Sequence, residues 1–327
     1  MRPTYNASRS YKIDIRNSSE AHHLHVNEWG EAGNSRVILC LHGLTRCSLD
    51  FSVLGSFFAE SYRVICPDLV GRGQSSWLEN KFLYQVPLYI QDIIFLLSKL
   101  DLKDVRIIGT SLGGILGMIL ASHPEKYLRD NVSKEITEKF VSMNTWRPDK
   151  LKALVLNDVG AVVNFSDLLK LKDEINSGCE TYLTIIEAEK QIRLTMEKSL
   201  GAHSDSEWKL LTSFYTRYDP KKKCFVPHYD PAILNPYDLP ALVYDFTKFG
   251  LDTIPELNLY SFYDSISAPT LLVRGLNSPI FGKKVALEMT KRGPMPRLVE
   301  VEGVGHAPTL MHLHQLQILE KFLKAHE

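Results

Sequence analysis

The run Val105-Arg106-Ile107-Ile108-Gly109-Thr110-Ser111-Leu112-Gly113-Gly114 limits the possible folds of this chain more than any other segment. Val105 to Ile108 is short, mostly apolar and rich in β-branched residues, as expected of a strand buried on both faces. It is followed at once by Gly109, a serine at 111, and an apolar helical stretch through Ala121. A buried strand that runs straight into a helix belongs in a largely parallel sheet covered by helices. The Gly-x-Ser-x-Gly spacing has a mechanical reason. The serine sits on a strained strand-to-helix turn, and small residues two before and two after let the backbone pass closely. Such a turn lifts the hydroxyl above the sheet edge, and the helix N-terminus behind it favours developing negative charge. Ser111 is therefore expected to be a nucleophile. The alternative is a glycine-rich turn that only packs a helix on a sheet.

The rest of the chain repeats the pattern. Residues 11–16 and 22–29 read as two opening strands, expected to pair in a hairpin across Asn17, Ser18 and Ser19. Buried strands are expected at Val37 to Leu41, Tyr62 to Cys66, Leu151 to Leu156, Thr270 to Val273 and Leu298 to Val301. Helices are expected at 48–60, 87–100 and 309–324. From 162 to 262 the pattern changes to a helical, aromatic and polar stretch with no buried strand run. Its clearest helix lies at 180–199, and Pro220, Pro227, Pro231, Pro236 and Pro240 break the later part into turns and short pieces. The expected organisation is an α/β core of residues 1–161 and 263–327, interrupted by a helical cap of 162–262. Residues 126–150 read as a second, smaller, charged insertion.

Composition excludes several classes. The chain has 327 residues, 44% hydrophobic and 23% charged, enough to bury a substantial core. Lys+Arg and Asp+Glu both number 38, so the basic excess of a nucleic-acid protein is absent. The run Lys221-Lys222-Lys223 reads as an exposed loop rather than a docking patch. No stretch has the apolar length of a signal peptide or an integral membrane span, and a cytoplasmic protein is expected. The five cysteines, Cys40, Cys47, Cys66, Cys179 and Cys224, are odd in number and irregularly spaced, which is not a disulfide framework. Neither His22-His23-x-His25 nor His312-x-His314 has metal-ligand spacing, and no metal is expected.

Two further loops carry chemistry. Leu39-Cys40-Leu41-His42-Gly43-Leu44-Thr45 ends a buried strand. Attack by a serine on a carbonyl needs backbone N–H donors for the oxyanion that forms. The expected donors are Leu112, just after the nucleophile, and Leu44, just after His42-Gly43. His42 itself is expected to be a structural hydrogen-bonding residue. Val304-Gly305-His306-Ala307-Pro308 lies between the last strand and the last helix. A histidine flanked by small residues there can reach back over the sheet edge, so His306 is the expected general base.

Together with Pro67-Asp68-Leu69-Val70-Gly71-Arg72-Gly73-Gln74-Ser75 and Leu156-Asn157-Asp158-Val159-Gly160, these motifs resemble the α/β-hydrolase family over nearly the whole chain. The resemblance implies an eight-stranded, mostly parallel sheet, no cofactor, a cap over the site, and the chain order serine, acid, histidine. In most of the family the acid follows the seventh strand. Here that loop reads Arg274-Gly275-Leu276-Asn277-Ser278-Pro279-Ile280 and holds no Asp or Glu. The chain is also similar to a subgroup of small esterases in which an Asn-Ser-Pro-like loop, here Asn277-Ser278-Pro279, follows the seventh strand and the acid follows the sixth. Asp158 stands at that place and keeps the order Ser111, Asp158, His306. Its competing role is to cap the turn after the strand. Asp264 is the weaker alternative, and Asp68 is expected to stabilise the Gly71–Gly73 loop.

The cap carries Tyr182, Trp208, Phe214, Tyr215, Tyr218, Tyr237, Tyr244 and Phe246. Most are expected to pack as core, with some facing the serine in a largely apolar pocket. The substrate is then a small, largely apolar carboxylic ester, cleaved through a Ser111 acyl-enzyme. Arg193 or Arg217 offers a carboxylate contact, with surface salt bridging as the competing role. Thioester, lactone or carbon–carbon bond hydrolysis uses the same constellation. A non-catalytic small-ligand-binding member of the fold is the reading from a different class.

Overall fold

The computed structural model describes residues 5–16, 18–134, 138, 146–164, 181–234 and 256–327. The expected apolar runs become β1 (Arg9–Ile15), β2 (His22–Trp29), β3 (Arg36–Leu41), β4 (Arg63–Pro67), β5 (Asp104–Thr110), β6 (Leu151–Asn157), β7 (Thr270–Gly275) and β8 (Arg297–Val301). They form one sheet in the order β1-β2-β4-β3-β5-β6-β7-β8. β2 meets both neighbours antiparallel, and every other pair is parallel.

Alternation along each strand divides the core. Val37, Leu39 and Leu41 of β3 pack into one cluster with α2 (Val86–Lys99) and α3 (Leu112–Ala121). Ile38 and Cys40 point the other way, into a cluster with α1 (Ser52–Phe58) and the last helix, Leu313–Lys324. Both faces are therefore dry along the central strands, which is why these read as continuous apolar runs; β8, expected to be buried, is an edge strand in which only Val301 is buried. The thiols of Cys40, Cys47, Cys66 and Cys224 are free and buried, and Cys179 lies outside the described residues.

Several element boundaries differ from expectation for local reasons. The last helix begins at Leu313 rather than 309, because Leu310 takes φ +56, a left-handed conformation no right-handed helix contains. The expected helix at 180–199 spans Ile185–Leu200, capped by the Thr184 hydroxyl accepting from the Glu187 amide. Residues Ser48–Phe51 form a tighter 3₁₀ turn before α1. The charged stretch at 126–150 starts within α4 (Pro124–Asn131), and most of its remainder lies outside the described residues.

Between β6 and β7 the chain leaves the sheet and returns to it at one place. Val162–Asn164 pairs antiparallel with Glu256–Asn258. The described part of the excursion holds α5 (Ile185–Leu200), α6 (Asp205–Tyr215) and a hairpin, Thr216–Asp219 with Cys224–Pro227. These strands of three or four residues are too short and too exposed to leave a buried run in the sequence. The Lys221-Lys222-Lys223 run is the exposed hairpin tip, where the Asp219 carboxylate accepts from the Lys221 and Lys222 amides. Tyr182, Trp208 and Phe214 are buried with Ile192, Leu211 and Met311 in a cluster of their own. Tyr237, Tyr244 and Phe246 lie outside the described residues. No helix among the described residues is long and apolar enough to cross a membrane.

Leu39, fully buried in the centre of the sheet, and Leu313, 61% exposed, give a test of this layering. Leu39→Ala should cost about 3 kcal/mol in urea unfolding, and Leu313→Ala should stay within about 0.5 kcal/mol. Similar losses at both positions would contradict it.

Candidate active site

The elbow forms where β5 hands over to α3. Ser111 takes φ 53 and ψ −115, a strained backbone for a residue with a side chain. Two features hold it there. Its N–H donates to the Asn157 carbonyl at the end of β6, 2.9 Å away. Gly113 lets the helix close on β3, since a Cβ at that position would stand 2.0 Å from the Leu41 carbonyl oxygen.

The residue just after β6 carries the acid group. The Asp158 N–H donates to the Val273 carbonyl of β7 at 2.8 Å, and its side chain is fully buried. Oδ1 accepts from the Gly275 amide at 2.8 Å, and Oδ2 accepts from the Ser278 hydroxyl at 2.6 Å. The Ser278 oxygen in turn accepts from the Phe281 amide at 3.1 Å. The sequence drew attention to the Asn277-Ser278-Pro279 loop but gave the Ser278 hydroxyl no role.

His306 bridges the two. Its Nδ1 lies 2.6 Å from Asp158 Oδ2, and its Nε2 lies 3.0 Å from Ser111 Oγ. A carboxylate only accepts, so Nδ1 carries the proton and Nε2 is left to accept from the serine hydroxyl. The loop that carries His306 lies directly on the end of β7, where a Cβ on Gly275 would stand 1.9 Å from the Gly305 carbonyl oxygen. The Gly305 amide donates to the Ser199 carbonyl at the end of α5, so the excursion also braces this loop. The Asn157 side-chain amide donates to Pro308 O at 2.9 Å and to Thr110 Oγ1 at 3.0 Å, tying the elbow to the histidine loop.

The expected oxyanion donors flank the serine. Leu112 is the first residue of α3, and Leu44 lines the same cleft as Ser111 and His306. The Leu44 carbonyl accepts from buried Arg72 Nε at 2.8 Å, which fixes the orientation of that loop. The cleft holds a cavity of about 100 Å³. Met196 and Leu200 of α5, Leu211 and Tyr215 of α6, and Met311 give it a mostly apolar wall.

The other sequence candidates stand elsewhere. Asp264 pairs with Arg292 at the surface. Asp68 accepts from the Ser48 and Gln74 amides and contacts His25. Burial alone would raise its carboxyl, but these partners and nearby His42 hold it below its ordinary value. Arg193 pairs with Asp205, and Arg217 lies over the Trp77 ring. His22 contacts Asp92 in the core, and His312 faces Glu207.

His42 is fully buried, with Nε2 accepting from the Leu69 amide at 2.9 Å and Nδ1 donating to Gly43 O at 2.8 Å. Burial pushes the ring from 6.5 down to about 4. Below 6.5 the unfolded chain takes up a proton that the folded ring refuses until about 4, so this residue makes stability fall as pH drops through that window. Ring ¹⁵N shifts should report a neutral His42 protonated at Nδ1 at about pH 5. A ring that titrates at its ordinary value would contradict this arrangement.

Residues 36–166 match the family model described as the alpha/beta hydrolase fold. The chain is 31% identical over 307 residues to a 3-hydroxybutyrate-oligomer hydrolase of Cupriavidus necator, with 92% of each chain covered. It is 22% identical to a pimeloyl-[acyl-carrier protein] methyl ester esterase of Aeromonas hydrophila, over 89% of this chain and 96% of that one. Among solved structures, an alpha/beta hydrolase from Novosphingobium aromaticivorans superposes with a TM-score of 0.76 and 25% identity, covering 96% of this chain and 98% of that one. The sheet order, the strained serine turn and a near full-length relative at this identity all agree: the chain belongs to the alpha/beta-hydrolase fold family.

Proposed function

We propose that this hydrolase is a carboxylesterase that works through a Ser111 acyl-enzyme, with His306 as general base and Asp158 as the acid of the triad. The observation that carries the reading is the position of His306, 3.0 Å from Ser111 Oγ through Nε2 and 2.6 Å from Asp158 through Nδ1. Ser111 Oγ attacks the ester carbonyl carbon while its proton passes to His306 Nε2. The carbonyl oxygen becomes an oxyanion and accepts from the Leu44 and Leu112 amides. Collapse breaks the bond to the alcohol, which leaves with the proton from Nε2. Water then gives a proton to Nε2, attacks the acyl carbon, and the acid departs as Ser111 regains its proton. Asp158 stays ionised and stabilises the imidazolium in both halves.

Residues 162–262 form the cap in this reading, with α5 and α6 as the wall that faces the serine. The substrate is a small, largely apolar ester. The name of the Cupriavidus necator relative points to esters of short hydroxy acids, whose carbon chains suit a mostly apolar cleft.

The test is turnover of p-nitrophenyl esters and of linear 3-hydroxybutyrate oligomers. Ser111→Ala should abolish it. Asp158→Asn should lower kcat by about 10³–10⁴ with folding intact. Ser278→Ala removes one hydrogen bond to the carboxylate and should lower kcat about tenfold. Wild-type turnover that survives Ser111→Ala would overturn the reading, and a small effect of Asp158→Asn would remove Asp158 from it.

A further inference from the structure

Apart from His306, the described residues lining the cleft that holds Ser111 include two charged side chains, Arg46 and Asp50. They are not equivalent. Both Asp50 oxygens are occupied by Arg46: Nε donates to Oδ2 at 2.6 Å, and Nη2 donates to Oδ1. The Tyr215 ring covers one face of the guanidinium, its centroid 3.1 Å from Cζ. The guanidinium is thus held in a single plane by a two-point ion pair and a stacked ring. Its remaining nitrogen, Nη1, is buried and has no hydrogen-bond partner. A buried guanidinium nitrogen with two unspent N–H groups is costly, because charged donors lose more than neutral ones when left unmade. Arg46 also stands close to the chemistry. A Cβ on Gly43 would lie 3.5 Å from Arg46 Cγ and 3.8 Å from Ser111 Cβ, so the two side chains flank the same glycine.

We infer that the Arg46 guanidinium, which lines the cleft with Ser111, binds a carboxylate carried by the substrate, so that this hydrolase selects esters of hydroxy acids that retain a free acid group. The inference rests on the ester-cleaving reading of Ser111 and adds the recognition of the anionic end. Asp50 orients the guanidinium by accepting one N–H from Nε and one from Nη2. It also accounts for a charge pair in a mostly apolar cleft: the pair fixes the plane of the guanidinium, and an anionic oxygen is its strongest complement. Arg46 is a binding residue here. Asp50 acts through it and is a positioning residue. Arg46 is not marked in the sequence because its charge lies three residues beyond the His42-Gly43 motif, in a loop valued only for its backbone.

The test separates binding from turnover. In Ser111→Ala, the linear 3-hydroxybutyrate trimer and its methyl ester, which masks the carboxylate, are titrated by calorimetry. The acid should bind about tenfold more tightly than the methyl ester. The Arg46→Gln/Asp50→Asn pair, which removes both charges and leaves no unpaired carboxylate, should abolish that difference when placed in the same background. A melting curve checks that this variant is folded. Arg46→Lys, which keeps the charge but not the planar fork, should restore only part of the discrimination. Equal binding of acid and ester, no binding of the acid by folded protein, or discrimination that survives loss of the guanidinium would each overturn the inference. Wild-type turnover of the trimer is measured separately. Failure on both the trimer and the p-nitrophenyl esters, with the carboxylate discrimination intact, would sink the esterase reading and leave the binding site standing.

Discussion

The Ser111 amide donates to the end of β6, the Asp158 amide donates to the end of β7, and the Leu276 and Asn277 amides donate to Val301 and Val304 at and beyond the end of β8. These bonds continue the parallel ladder past the last regular pair of each strand, so four neighbouring strands finish in a fixed stagger. Three of the strand ends then project a residue into a common space: Ser111 after β5, Asp158 after β6, His306 after β8. A one-residue slip in any of these strands would turn its side chain to the other face. The dry packing of β5 and β6 on both faces makes such a slip expensive there, and the site inherits its geometry from that register. Asn157 reinforces it by joining the elbow to the histidine loop.

The loop after β7 takes an unusual part in this arrangement. It holds no carboxylate, yet it supplies the Gly275 amide and the Ser278 hydroxyl that receive Asp158 from the neighbouring strand. In the proposed triad the acid stands one strand across from this loop, and Asp158 still reaches His306 Nδ1. A buried carboxylate is costly unless every oxygen is satisfied. Two donors from β7 and its loop and one from His306 meet that need.

Most of this was legible. Strands buried on both faces leave continuous apolar runs, so the core elements, the elbow and the histidine loop could be found from residues alone. The lack of an acid in Arg274–Ile280 was equally visible and led to Asp158. The roles of Ser278 and Arg46 were not legible, because they depend on contacts with Asp158, Asp50 and Tyr215 that only the folded chain makes. The hairpin around Lys221–Lys223 was hidden for another reason: strands of four half-exposed residues carry no period long enough to read. The start of the last helix was misplaced because a left-handed Leu310 is set by its surroundings rather than by its own preference.

Labelling with a fluorophosphonate tests the central claim, that Ser111, His306 and Asp158 act as one unit. Intact mass and peptide mapping after brief exposure should locate a single adduct on Ser111, and Asp158→Asn should slow its formation by about 10³ while the melting temperature is held. An adduct on another residue, or labelling of the Asp158→Asn protein at the wild-type rate, would contradict the account.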